Sequence, residues 1–490
     1  MKDRLEQDLA VALAALQSTG MVPSDVNPSI VVTRTRDAGH GDFASNLAMM
    51  LAKPTGHAPC DIARALIEAL PVSDDIRDVV VADPGFINFF QADEAQAAVV
   101  PAVLSQGRQF GRSQLGAGQR VQVECVSSCP AGPLPVSQGR PVALGATIAD
   151  LMEAVGFEVR RVYRLTDAGC QMDGPAATAI RQELNEFGVH HAEWVSECSL
   201  GDALQRVVDR LEASGQLYEK EGVRWFRSSE FGDDRDRALL WGNGQGSCFA
   251  SDIACIDNTL ERGVDKVLYV FGADQHERAA CLSAACQALG HPREKFEILL
   301  TRFANLFRGG EPVSLSTACD SIVTLRELCD EVGKDAARFL YVMRKHSQPF
   351  DFDLDLARSQ SNENPAYHVQ MAHARVCSVM RQLNQRALTF DQEAGLAALF
   401  RLSETAEFEL MSLLAMFPER VQRAALAREP HQLTRYLRDL ANGLHSYYNA
   451  HKVLVDDDEL RHARVCLLLA VRQVLGNGLS LIGVSTPEVM

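Results

Sequence analysis

Residues 121–150, VQVECVSSCPAGPLPVSQGRPVALGATIAD, run from an apolar alternation through a Gly/Pro/Ser-rich break into an Ala-rich stretch. Val121, Val123 and Cys125 alternate with polar neighbours, as one face of a strand requires. Pro130, Gly132 and Pro133 end that pattern, and residues 138–151 then propagate as a helix on which Leu144, Ile148 and Leu151 share a face. Pro141 is expected in the first helical turn, where its missing N–H is harmless. Such a strand–loop–helix unit presents backbone N–H groups at the carboxyl end of a strand, where α/β folds hold phosphates. It contains neither a GxGxxG nor a GxxxxGK[ST] spacing, so the residues alone fit an ordinary β–α connection better than a phosphate site.

Outward from it, strand and helix patterns alternate to about residue 357, as a parallel sheet requires. Residues 158–165 read as a strand running into Asp167-Ala168-Gly169, and residues 266–271 as another ending at Gly272-Ala273-Asp274. Asp167, Gln171, Asp252, Asp274, Gln275 and His276 are therefore candidates for one cleft at the strand ends. Residues 1–105 read as a separate α+β domain, with an amphipathic helix over 1–17 and strands at 30–32, 79–81 and 86–90. Residues 107–118 connect it to the central domain, taken as 119–357. From 362 to 490 the periodicity is helical, which predicts an all-α bundle. There His373, Arg375, Arg381, Arg435, Arg438, His445, Tyr447 and Tyr448 combine cations with aromatic faces, as binders of single-stranded RNA do.

Composition narrows the function classes. The chain has 490 residues, 47% hydrophobic and 23% charged, which predicts several soluble globular domains. A net charge of −16 argues against a general polyanion binder but leaves room for a local basic stripe. The opening residues, MKDRLEQDLAVALAAL, interleave charges with apolar positions, so neither a signal peptide nor a membrane span is expected and the cytoplasm is the default. The 13 cysteines include no CxxC pair and suit reduced thiols rather than zinc or disulfides.

Several blocks, in order, resemble the class I arginyl-tRNA synthetases. They include GDFASNLAMMLAK (41–53), PGFINFF (84–90), VQVECVSSCPAGPL (121–134), FASDIA (249–254), GADQH (272–276), DFDLDLARSQSNENPAY (351–367) and RQVLGNGLSLIGVSTPEVM (472–490). The resemblance implies an N-terminal domain that contacts the tRNA elbow, a Rossmann-like catalytic-type domain and an anticodon-binding-type bundle, in a multidomain α/β monomer. It also implies arginine, ATP with Mg and tRNA as ligands. Nucleotide contacts then fall to Gln138, Gly139 and Gly145, arginine contacts to Glu124, Asp167, Gln171, Asp252 and His276, and tRNA contacts to Arg375, Arg435, Arg438 and Tyr447.

Both signature motifs of the class are altered. Where the family has His-x-Gly-His, the chain has Pro135-Val136-Ser137-Gln138, and where it has Lys-Met-Ser-Lys, the chain has Ser314-Leu315-Ser316-Thr317. Activation builds negative charge on the α-phosphate and on the leaving pyrophosphate, and fixed donors must meet it. Pro135 offers no donor, and Ser314 and Thr317 no cation. Cys129 and Cys248 stand where the family has asparagine and tyrosine, and the chain is short over 173–189. The expectation is an arginyl-tRNA synthetase homologue with ordinary catalysis lost or much reduced, a tRNA-binding pseudoenzyme. The alternatives are a working arginine–tRNA ligase with substitute residues, or an enzyme repurposed for another small molecule.

Overall fold

The computed structural model describes all residues except 36–37, 129–132, 166–173, 191–192, 197–200, 303 and 314–323. Its contacts divide the chain into two units, one formed by 1–102 with 390–415 and 455–467, the other by 103–389 with 416–454 and 468–490.

In the first unit, the helix Lys2–Ser18 buries Leu5, Leu9, Leu13 and Leu16, one helical stripe, against an antiparallel sheet. The sheet runs in the order Val32–Arg34, Phe43–Ser45, Phe86–Gln91, Ile76–Ala82. Phe43, Ile87 and Phe89 alternate towards that helix and close the core with Leu47, Leu51, Ile62 and Leu66.

The second unit holds a five-stranded sheet in the order Phe296–Thr301, Lys266–Gly272, Arg120–Ser128, Glu158–Leu165, Glu193–Ser196, with every neighbouring pair parallel. The strand order reverses between Arg120–Ser128 and Lys266–Gly272, the arrangement of a doubly wound fold with its crevice at that point. The interior strand Lys266–Gly272 buries five consecutive residues, as a sheet covered on both faces demands. A small antiparallel sheet of Leu217–Lys220, Val223–Phe226 and Arg237–Leu240 is inserted in the chain between the strands Glu193–Ser196 and Lys266–Gly272.

The helix after the first strand runs Val136–Ala154. It is buried almost all round, rather than on the one expected face, because the sheet covers one side and the helices Leu325–Val332 and Lys334–Val342 cover the other. Its start at Val136 also puts Pro141 beyond the first turn, so Pro141 removes an interior bond to the Ser137 carbonyl, contrary to expectation. The helical region comprises Pro365–Gln385, Gln392–Ala397, Thr405–Ala427, His431–Ala450 and Asp458–Leu481. The last of these is long and apolar enough to cross a membrane, but 72% of its most apolar stretch is buried in the fold.

Candidate active site

A cavity of about 280 Å³ opens at the strand-order reversal, lined by Cys125, Ser137, Gln138, Pro141, Val270, Asp274, Gln275 and Thr301 among others. The first altered signature therefore lies at the place the topology reserves for a ligand. Pro135 is the N-cap of the helix and gives it no side-chain cap, Ser137 is exposed, and Gln138 offers an amide to the cavity. Burial, aided by the neighbouring Glu124, pushes the Cys125 thiol up to about 12, so it lines the cavity as a neutral group.

Gly139 and Gly145 do not lie open to a nucleotide as expected. A side chain at Gly139 would meet the Leu325 and Tyr341 side chains at 2.9 Å, and one at Gly145 would meet Cys125 Cβ at 2.3 Å. Both glycines let the helix pack closely against the protein itself. The next residue, Arg140, is buried and donates to the carbonyls of Arg302 at 2.7 Å and of Lys345 and Gln348 at 3.0 Å.

The stretch before the helix is tied to the segment that follows the second signature. Pro135 and Thr324 form an antiparallel bridge, and the Leu325 N–H donates to the Leu134 carbonyl at 2.8 Å. Thr324 in turn caps its helix through a reciprocal box with Glu327. Ser314, Leu315, Ser316 and Thr317 lie outside the described residues, as do Cys129, Asp167 and Gln171.

Glu124 and Asp252, both buried, do come together, but around arginines of the chain itself. Arg164 Nε donates to Glu124 Oε1 at 2.9 Å and its Nη1 to Asp252 Oδ1. Arg278 grips Asp252 from the other side, at 2.6 Å and 2.7 Å. Burial alone works against charge on Arg164, yet Glu124 and Asp252 outweigh it and hold its pKa well above the usual arginine range. Burial pushes the Glu124 carboxyl up, with the Arg164 guanidinium opposing. Neither arginine stood out in the sequence; for Arg164 the available signal was a charged residue near the end of VRRVYRL, an interior strand of the sheet. His276 is exposed and outside the residues lining the cavity, whereas Asp274 and Gln275 line it. Cys248 is exposed at the first turn of the helix Cys248–Glu261, four residues before Asp252.

In the helical region the expected RNA-facing residues separate. Arg375 lies over the Tyr448 ring at 4.8 Å, and Arg435 and Arg438 are exposed, which leaves all three on accessible surface or its edge. Tyr447 is fully buried and stacks on His451, so its face is not offered to a base as expected. His368 and His445 lie 4.6 Å apart, and burial brings the His445 pKa down to about 4. A histidine whose folded pKa is depressed leaves the unfolded chain to take the proton first. Stability is expected to fall as pH drops from about 6.5 towards 4. Thermal melts of the natural chain and His445→Gln across that window check this, since the variant should lose part of the pH dependence.

Comparisons with known proteins give the arrangement its family. A model of the DALR anticodon binding domain matches residues 369–490, and a model of the arginyl tRNA synthetase N terminal domain matches residues 3–91. The arginine–tRNA ligase of Thioalkalivibrio sulfidiphilus is 44% identical over 586 aligned positions that span 100% of both chains. The chain belongs to the arginyl-tRNA synthetase family. Arginine–tRNA ligases of Legionella pneumophila and Coxiella burnetii are 39% identical, again over the whole of both chains. The alignments exceed the chain's 490 residues, so these arginyl-tRNA synthetase relatives carry segments that the chain lacks. Among solved structures, the Thermus thermophilus arginyl-tRNA synthetase matches over 100% of both chains with a TM-score of 0.75 at 22% identity. The Plasmodium falciparum enzyme matches over 100% of this chain and 99% of its own with 0.74 at 14%. The expected architecture, an N-terminal α+β domain, a central Rossmann-like parallel sheet and an all-α anticodon-binding-type region, is the one observed, the N-terminal sheet being antiparallel. The expected loss of catalysis finds no support in these similarities, which favour a working ligase.

Proposed function

We propose that the chain is an arginine–tRNA ligase, joining arginine to tRNA at the expense of ATP, with substitute groups in place of the altered signatures. The observation that carries this reading is its similarity, along both whole chains, to relatives named arginine–tRNA ligases. The cavity at the strand-order reversal supports it, since Gln138, Gln275 and Asp274 there supply amide donors and a carboxylate for a nucleotide and its Mg. In this reading the chain acts as a cytoplasmic monomer, tRNA lies along Arg375, Arg435 and Arg438, and arginine is drawn to Glu124 and Asp252.

A second reading, a tRNA-binding protein without activation, is favoured by two observations. Pro135 and Ser137 bring no imidazole to the cavity, and the carboxylates at Glu124 and Asp252 are already paired within the chain. Purified protein with arginine, ATP and tRNA separates the two. The ligase reading expects pyrophosphate exchange and charging at about 1 s⁻¹ or more. Background exchange beside a tRNA complex that weakens steeply with salt gives the second reading instead.

A further inference from the structure

We propose that Arg164 is a built-in occupant of a guanidinium receptor formed by Glu124 and Asp252, and that a free guanidino compound binds there once the Arg164 side chain is gone. Glu124 comes from the strand Arg120–Ser128 and Asp252 from the helix Cys248–Glu261, so the sheet and the helix bring two carboxylates to one fully desolvated place. A planar, forked cation is the group such a pair recognises. The Tyr269 ring adds a cation–π face, 5.9 Å from the Arg164 guanidinium carbon.

Charge balance gives the ligand its sign. Two carboxylates face two guanidinium groups, those of Arg164 and Arg278, in this cluster. Without Arg164, Arg278 still holds Asp252, and one buried negative charge is left over, a costly state that a small cation relieves.

The resident arginine also fits incompletely. Glu124 Oε2, Arg164 Nη2 and the Tyr269 hydroxyl are all buried with no hydrogen-bond partner among the described residues. Buried polar groups are ordinarily satisfied, and here a tethered side chain reaches Glu124 through one nitrogen only. A guanidinium freed from its Cα can turn its fork to both Glu124 oxygens.

In the proposed reaction, Arg164 then competes with substrate arginine for the same carboxylates. This rests on the ligase reading only in naming arginine as the competitor, and the test contains neither ATP nor tRNA. Binding of L-arginine, agmatine and cadaverine is measured on the natural chain, on Arg164→Ala and on Arg164→Ala with Glu124→Gln. Arg164→Ala should bind agmatine and arginine at least about tenfold more tightly than the natural chain, and the added Glu124→Gln should abolish the gain. Cadaverine, with an ammonium in place of the guanidinium, should gain less. Equal affinity of the natural chain and Arg164→Ala, or a gain that survives Glu124→Gln, overturns the proposal.

If Arg164→Ala does not fold unaided, agmatine during refolding should restore soluble protein where cadaverine does not, and failure of that rescue also overturns it. A chain inactive in charging whose variant still gains agmatine binding leaves the proposal standing and sinks the ligase reading. Active charging without that gain does the reverse.

Discussion

A chain carrying Pro135→His, Ser137→Gly, Gln138→His, Ser314→Lys and Thr317→Lys together should exchange pyrophosphate within about threefold of the natural rate if substitute groups supply the charge, as the ligase reading holds, and about 10²-fold faster or more if none do, as the second reading holds. Positions 137 and 138 line the cavity at the strand-order reversal, and 135 caps the helix that frames it. An imidazole at 138 would meet a nucleotide held between Cys125 and the stretch Val270 to Gln275. The paired lysines would bring the positive charge that developing phosphate charge requires. Groups that act on one transition state are strongly coupled, so either set alone should give much less than both. Radiolabelled pyrophosphate exchange on the two partial variants and the full one decides it. A full variant within about threefold of the natural chain would mean that other residues already supply this charge. Should exchange stay at background, Cys129→Asn and Cys248→Tyr come next, because the amino-acid pocket would then be limiting.

Replacing Arg140 by leucine should lower unfolding free energy by about 3 kcal/mol or more. The Arg140 guanidinium serves three carbonyls, of Arg302, Lys345 and Gln348, and is buried. Leucine keeps bulk but leaves those acceptors without their donor, and each unsatisfied buried group costs about 1–3 kcal/mol. Burial also brings the Arg140 pKa down to about 10. Lysine should recover part of the loss, since one ammonium cannot span three acceptors set for a fork. Chemical denaturation of both variants checks this, with Arg64→Leu as the comparison. The Arg64–Asp61 pair is 65% and 61% exposed and should be worth about 1 kcal/mol or less. A loss at Arg140 no larger than at Arg64 would contradict the argument.

The sheet was legible because it is written locally. The expected strand at 158–165 is the observed Glu158–Leu165, and 266–271 is one residue short of Lys266–Gly272. Alternation and apolar runs follow from which face of a strand is covered, and no distant residue is needed to read them. The ion-pair cluster was not legible, since Glu124 meets Arg164 across 40 positions and Arg164 meets Asp252 across 88. Sequence marked the two acids through the family resemblance but could not show that the chain supplies its own partners. Gly139 and Gly145 misled for a different reason. A missing side chain admits a ligand or a neighbouring element equally, and here Tyr341, Leu325 and Cys125 fill the space. Tyr447 could have been placed from sequence, because Leu433, Leu437, Leu440, Leu444 and Tyr447 fall on one helical stripe, the buried one.

The bridge between Pro135 and Thr324 bears on how this protein could be re-engineered. Leu134 and Pro135 meet Thr324 and Leu325 at that one closure, through the bridge and the Leu325 to Leu134 hydrogen bond. A substitution on either side is therefore felt on the other. Residues imported from a relative at 134–135 alone would face a Thr324–Leu325 partner matched to the old sequence. The exchangeable unit is both sides of the bridge, transplanted as one piece.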